Sequence, residues 1–275
     1  MLISLFKYSF LQHAVIAAIL SSIACGIIGT IIVEKKLVML SGGIAHTAFG
    51  GVGFGYLLGI PPILGALFFS VASAIGITSI KRQNSTNSDT LIGMFWSLGM
   101  ALGILFIAFM PGYPPDMTSY LFGDILNVSN FDIKIMCIMD LIIILFIISI
   151  LNTLKSYLFD DEFSFTLGIN TTLLEYYLFI LIALAIVVLI KVVGIILIIA
   201  LLTAPPAISK LFTYDFNKIL VSSIILGMIF SFTGLWLSYV INIPSGASII
   251  LVTVLTYFIT TAIKSLNQKY KLPPS

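Results

Sequence analysis

The chain has 275 residues, of which 60% are hydrophobic and only 9% charged, and 13 Lys and Arg against 11 Asp and Glu leave a formal net charge of +2. Soluble domains average about 25% charged residues, so these few charges cannot coat a water-facing surface, and the mean hydropathy of +1.18 excludes a soluble enzyme, a disordered chain and a disulfide scaffold. So small a net charge also speaks against a nucleic-acid partner. The apolar runs exceed the roughly ten-residue alternating strands of a membrane barrel. The expected fold is therefore all-α: a polytopic transmembrane helical bundle of about eight to nine spans, one domain over residues 1–275 set in a lipid bilayer.

Nine segments have the hydropathy of spans, at about 10–33, 37–60, 62–80, 91–110, 133–151, 172–190, 193–212, 219–241 and 246–263. The first has no small-residue cleavage site after a short apolar core, so it is expected to be a retained span. Only Lys191 and Val192 separate the sixth and seventh, which leaves eight spans with one broken or re-entrant segment as an alternative. Pro61-Pro62, Pro111 to Pro115, Pro205-Pro206 and Pro244 are expected to mark ends, because proline lacks the N–H donor and disfavours helix before it. Cys25 and Cys137 both lie in apolar runs and are expected to be small buried hydrophobes.

If Lys81 and Arg82 are cytoplasmic and the spans alternate, Lys35, Lys36, Lys81, Arg82, Lys155, Lys210, Lys218, Lys264, Lys269 and Lys271 fall inside, ten of the 13 basic residues. Lys7, Lys134 and Lys191 fall outside. The positive-inside rule then puts the C-terminus in the cytoplasm and, for nine spans, the N-terminus outside. Two connections are long. The extracytoplasmic loop 111–132 carries Asp116, Asp124 and Asp132 without a basic residue, and its 117–124 stretch suits an interfacial helix. In the cytoplasmic loop 152–171, Asp160, Asp161 and Glu162 precede an apolar stretch that ends at Gly168. Acids in the first turn and glycine after the last are helix start and stop signals. Phe159, Phe163 and Leu167, spaced by four, form an apolar stripe. Such a helix either lies on the membrane surface or docks a cytoplasmic partner.

An ionisable side chain inside lipid is expensive and marks a functional site by default. His46 lies nine residues after Leu37, roughly 14 Å into a hydrocarbon core about 30 Å thick. Gly42, His46 and Gly50 form one i,i+4 row, and Gly43, Thr47, Gly51, Gly55 and Gly59 form the next. Rows of small residues let another helix backbone approach closely or leave room for an ion beside the imidazole, itself a common transition-metal ligand. From the residues alone, His46 is a metal ligand or a histidine hydrogen-bonded to a neighbouring helix. Asp140 lies inside the fifth segment and either pairs with a hydroxyl or meets water near the outer interface. Glu175 and Lys191 sit at span ends, where long side chains snorkel, and His13 is expected at the outer interface. The sequence has no G-x-x-x-x-G-K-[ST] loop, no H-E-x-x-H and no evident Ser/His/Asp set, so no enzyme chemistry is expected and any ATP hydrolysis belongs to another chain.

Several motifs resemble, in order, those of one family. Leu40-Ser-Gly-Gly-Ile-Ala-His-Thr-Ala-Phe-Gly-Gly-Val-Gly-Phe-Gly55 resembles the second-span motif of the permease subunits of zinc, manganese and iron ATP-binding cassette importers. Asp89-Thr-Leu-Ile-Gly93, Ser119-Tyr-Leu-Phe-Gly-Asp-Ile-Leu126, the run from Val193 to Ala207, Gly234-Leu-Trp-Leu-Ser-Tyr239 and Ile243-Pro-Ser-Gly-Ala247 are similar to its later motifs. Tyr120, Gly123 and Asp124 belong to the external one. The resemblance implies a homodimeric permease of a prokaryotic cell membrane. It also implies cytoplasmic ATP-binding subunits, an extracytoplasmic metal-binding protein, and a transported divalent metal ion with no permanently bound cofactor. It assigns Phe159 to Gly168 to ATPase coupling and makes His46 the intramembrane metal ligand. Where the family commonly carries an aspartate, one turn before that histidine, this chain has Gly42. Ser41, Thr47, Asp140 or a second protomer would then complete the path, with zinc or manganese as first candidates for the ion and iron next. A permease for a metal chelate and a stand-alone secondary cation transporter are the alternatives.

Overall fold

Where no water reaches the backbone, its N–H and C=O groups must pair within the chain, and a helix does this inside one segment. The computed structural model describes residues 8–83, 88–112, 118–123 and 125–269, and among them it contains helices and no strand. In chain order these are α1 (Ser9–Glu34), α2 (Val38–Leu58), α3 (Pro62–Gln83), α4 (Ser88–Ala108), α5 (Thr118–Phe122), α6 (Asn130–Ser149), α7 (Leu151–Phe159), α8 (Asp161–Thr166), α9 (Thr171–Val193), α10 (Ile195–Phe212), α11 (Phe216–Ile241) and α12 (Ser245–Lys269), with a 3₁₀ turn at Ile125–Asn127.

Seven of these helices, α1, α3, α4, α9, α10, α11 and α12, are long and apolar enough to cross a membrane, and α6 with α7 makes an eighth if that pair is one span. The 37–60 segment forms α2 but does not reach the same apolarity, because glycines, Thr47 and His46 dilute it. Its neighbours compensate by enclosing it: α2 packs chiefly against α3 and α4 and is buried along most of its length. Outward faces are correspondingly apolar. On α6, Ile138, Leu141, Ile142, Leu145 and Ile148 are all exposed, as are Leu251, Leu255, Phe258, Ile259 and Ile263 on α12. In a lipid-facing helix this is the expected inversion of a soluble surface. Cys25 is buried as expected, whereas Cys137 lies on the exposed face of α6, where a thiol meets acyl chains at little cost.

The bundle has two parts. One gathers α10, α11 and α6 around α1, with α12 packed on α10 and α11. The other is the α2–α3–α4 unit, joined to the first by α9, which lies along α3 and touches α2. Helix ends follow from local chemistry. Gly59 closes α2 at φ +67°, and Gly194, at φ +82°, divides α9 from α10, so the sixth and seventh segments are separate helices. Pro205 and Pro206 do not end a helix as expected; both lie inside α10. Ser209 donates to the Pro205 carbonyl at 3.0 Å. The Leu202 carbonyl, whose amide donor Pro206 removes, abuts Gly29 of α1. Neighbouring helices thus absorb the break, as proline in a membrane bundle requires. At Ile150 the chain bends by 74° from α6 into α7, so part of the expected 152–171 loop is helical.

Glycines set the spacing inside the α2–α3–α4 unit. A Cβ added to Gly50 would lie 2.5 Å from the Gly99 carbonyl oxygen, and one on Gly53 would lie 2.7 Å from that of Gly103. Gly51 and Gly65 meet in the same way between α2 and α3. Gly93, on the same α4 helix, faces open space. Gly50→Val should therefore lower stability by at least the 1–3 kcal/mol typical of overpacking, read as a depressed melting temperature in detergent. Gly93→Ala should be neutral or slightly stabilising, because alanine is the better helix former by up to about 1 kcal/mol.

Candidate functional site

His46 projects from the middle of α2 toward α4 and is half-buried. Its ring stacks on Trp96 with centroids 4.1 Å apart and planes 14° from parallel, and its Nδ1 lies 3.2 Å from the Met100 Sδ. Trp96 and Met100 are one turn apart on α4, opposite Gly42 and His46, one turn apart on α2. The two rows interlock: a Cβ on Gly42 would come within 2.7 Å of the Trp96 ring. An aspartate cannot occupy position 42 unless Trp96 moves. The imidazole Nε2 makes no hydrogen bond among the described residues.

The other path residues expected from sequence are placed differently. Ser41 is fully buried and donates to the Val38 carbonyl at 2.8 Å. Thr47 donates to Gly43 O at 2.6 Å and approaches Phe95 O at 3.3 Å. Both hydroxyls are engaged by backbone. Asp140 is buried on α6, and its Oδ2 has no hydrogen-bond partner, so the expected hydroxyl pairing is absent. No group of three or more His, Cys, Asp or Glu able to hold a metal forms among the described residues.

At the end of the bundle where α2 stops, the Tyr56 and Tyr120 hydroxyls are 3.5 Å apart. Burial and the Tyr56 hydroxyl raise the Tyr120 phenol above its ordinary pKa. Gly123, at φ +73°, presses against the Val193 carbonyl and Gly194, a contact that any side chain at either glycine would block. Asp124 lies outside the described residues. A cavity of about 540 Å³ runs between this motif and Ile243 to Ala247. At the same end, His13 Nδ1 lies 3.0 Å from Val128 O. Lys191 does not snorkel freely but pairs with Asp132 at 2.7 Å, and Asp132 in turn accepts from Ser129 in a capping box.

The opposite end is built around charge. Glu175 at the start of α9 was expected to snorkel, yet its side chain is fully buried and holds Lys81 with one oxygen and Arg82 with the other. Arg82 also reaches the Asp161 carboxylate at 3.4 Å and donates to Thr171 O at 3.3 Å. Lys35 lies 3.5 Å from the centre of the Tyr157 ring, and burial lowers its pKa from the ordinary lysine value. Lys210 pairs with Glu34 at 2.9 Å, and Lys264 donates to Leu211 O. Basic residues expected on one side of the membrane thus gather at one end of the bundle.

The short helix expected at Asp160 to Leu167 is α8. Asp160 caps it by accepting from Phe163 N at 3.0 Å, and Gly168 takes φ +80° just beyond its last turn. Glu162 lies exposed in its first turn. Phe159 does not share a stripe with Phe163, because it ends α7 and the extended Asp160 intervenes. What α8 presents is Phe163 at 51%, Phe165 at 71% and Leu167 at 57% exposure, beside Phe159 at 89%. The four-residue spacing missed Phe165, and the pairing of Lys81 and Arg82 with Glu175, about 94 residues apart, had no signal in the sequence.

Apolar outer faces, a half-buried imidazole on a glycine-lined inner helix and a capped helix projecting aromatics at the basic end define a membrane-embedded transport subunit. The chain belongs to the ABC 3 transport family, whose model matches residues 7–264. It is 40% identical over 94% of its length to a membrane protein of Synechocystis sp., slr2045, covering 92% of that protein. It is 33% identical to the manganese transport system membrane protein MntC of Listeria monocytogenes, over 93% of this chain and 91% of that one. Among solved structures it superposes on PsaBC from Streptococcus pneumoniae in complex with Fab with a TM-score of 0.84 and 32% identity, covering 94% of this chain and 93% of the other. The fold is also that of an inward-facing metal-chelate type ABC transporter (TM-score 0.72, 13% identity, 92% and 85% coverage).

The buried carboxylate yields a direct expectation. Glu175→Leu leaves Lys81 and Arg82 without their shared partner and should cost about 3–5 kcal/mol, as breaking a buried ion pair does. Lys191→Ala, whose partner pair is half exposed, should cost no more than about 1 kcal/mol. Thermal unfolding of the purified variants in detergent checks both.

Proposed function

We propose that this chain is the membrane subunit of an ATP-driven importer and provides the path for a divalent transition metal ion, with ATP hydrolysed on a separate cytoplasmic chain. The observation that carries this reading is His46: an imidazole in the middle of the bundle, set in a glycine row, with one ring nitrogen uncommitted, in a family of transporters with a manganese-transport relative. An imidazole nitrogen left without a hydrogen-bond partner inside a membrane is costly unless a ligand visits the ring. Zinc and manganese are the first candidates as cargo and iron the next.

In this reading α8 seats in a groove of the ATP-binding subunit. Its exposed aromatics would otherwise stand in water, and Arg82 ties it through Asp161 to α3 and through Glu175 to α9. Closure of an ATPase dimer would move α8 and, with it, the cytoplasmic end of α3, which lies against α2. A second copy of the chain faces the first, an extracytoplasmic metal-binding protein delivers the ion over Tyr120 and Gly123, and the C-terminus is cytoplasmic in the cell membrane. The chelate alternative draws only on a structural likeness at 13% identity, which is a likeness of fold.

Two outcomes are expected. In vesicles carrying the chain with its co-expressed ATPase, His46→Ala should abolish metal uptake while the ATPase still co-purifies. Retained uptake would make His46 a packing residue. Phe163→Ala with Phe165→Ala should leave the chain folded but reduce ATPase co-purification at least tenfold. Metal uptake by the chain alone would overturn the importer reading.

A further inference from the structure

We propose that Met100 is a second ligand of the transported ion, and that the Met100–His46 pair selects zinc over manganese. The inference rests on the importer reading and deepens it by naming the ion. Three observations meet at one place. His46 Nδ1 and Met100 Sδ stand 3.2 Å apart; without an ion the Nδ1–H donates to the thioether, and with one the imidazole takes its other tautomer, the proton on the uncommitted Nε2, so that Nδ1 and Sδ both present lone pairs. An ion about 2.0 Å from the nitrogen, and farther from the neutral thioether sulfur than the roughly 2.3 Å of a zinc–thiolate bond, would subtend an angle of no more than about 95° between them, an accessible value for two adjacent ligands. Trp96 stacks on the imidazole and limits its rotation, so the ring presents its Nδ1 edge toward Met100. The same tryptophan fills the space beside Gly42, which keeps a carboxylate from standing one turn before the histidine.

The chemistry follows from ligand type. A carboxylate is a hard oxygen donor suited to manganese, while a thioether is soft. Replacing the first by the second leaves a nitrogen–sulfur pair. At such a pair, first-row divalent ions bind in the order that puts manganese weakest and zinc well above it. The groups facing His46 from α2 are Gly42, Gly50 and Thr47, with Thr47's hydroxyl already donated to Gly43. From α4 they are Trp96 and Met100. Neither helix supplies a carboxylate to restore the hard site. Met100 packs against the apolar core like other methionines, but its sulfur lies within contact distance of the imidazole of His46.

The test uses the complex of this chain with its ATPase, carrying Cys25→Ala and Cys137→Ala so that no thiol of this chain can be mistaken for the thioether. Zinc and manganese uptake into vesicles are measured in this parent and in Met100→Leu, and the zinc-loaded proteins are examined by X-ray absorption at the zinc edge. The parent should take up zinc at least tenfold faster than manganese. Met100→Leu should lose about tenfold in zinc uptake, with ATPase assembly intact, and should lose a sulfur neighbour from the coordination shell of the zinc. Met100→Glu should shift the ratio toward manganese. Unchanged zinc uptake and an unchanged zinc spectrum in Met100→Leu would overturn the assignment, as would a parent that favours manganese. If neither metal is transported but the sulfur neighbour is present in the parent and absent in Met100→Leu, the ligand stands and the importer reading falls.

Discussion

Backbone-to-backbone contact between α2 and its two neighbours is the constraint on which the site depends. Gly50 and Gly53 meet the carbonyls of Gly99 and Gly103, and Gly51 meets Gly65, so α2 is held at a separation that no side chain could tolerate. Small-residue interfaces are how membrane helices gain van der Waals contact where no hydrophobic driving force acts between them. Here the close approach has a chemical result. It brings the face of α4 that bears Trp96 and Met100 directly onto the imidazole of α2, and it encloses a helix that falls short of the apolarity of the spans around it.

The end of the bundle that carries α8 is held by the opposite kind of contact. Glu175 is fully buried and binds two cations at once, and Arg82 extends the same network to Asp161 of α8. A buried ion pair contributes little net stability beside a packed apolar core, yet losing one partner is costly, so such a cluster holds a geometry more than it adds to stability. Its placement explains what geometry is held. Helix α8 is attached to α3 by charge, and α3 is attached to α2 by glycine contact. Under the proposed function, that is a continuous route from the ATPase surface to His46, made of two contacts whose partners are all named.

The fold was legible in the sequence because lipid leaves few options. Hydropathy located the nine long segments, and glycine, acid and cap signals located α8 within a residue. Errors arose where a third element decided the outcome. Pro205 and Pro206 stay in a helix although they remove the amide donors of the Leu201 and Leu202 carbonyls; the Leu202 carbonyl packs against Gly29 of α1, and local propensity cannot anticipate a partner 173 residues away. Glu175 and Lys191 sit at span ends, where snorkelling is the default, but each meets an opposite charge from another helix. The site divides in the same way. His46 was evident as a lone ionisable group, and Gly42 was evident as a missing side chain. That Trp96 and Met100 fill the gap depends on how α4 is set against α2, which only the three-dimensional arrangement supplies.

These two kinds of contact also suit a subunit that must change shape. Where glycine meets glycine, at Gly50–Gly99 and Gly53–Gly103, no side chains must be released, so the helices can shift by the small shear through which packed helices reposition, with the His46–Trp96 stack as the part that must readjust. An ionic cluster resists sliding, since each ion must keep its partner as it moves. Placing the ionic cluster at the docking end and the glycine contacts around His46 makes the first a rigid handle and the second the compliant joint. The imidazole stands within the joint, so a shift of α4 by a fraction of a turn along α2 would alter the 3.2 Å spacing of His46 and Met100 together with the Thr47–Phe95 contact beside it. Binding and release of an ion at that pair would then be set by the same motion that opens one side of the path and closes the other.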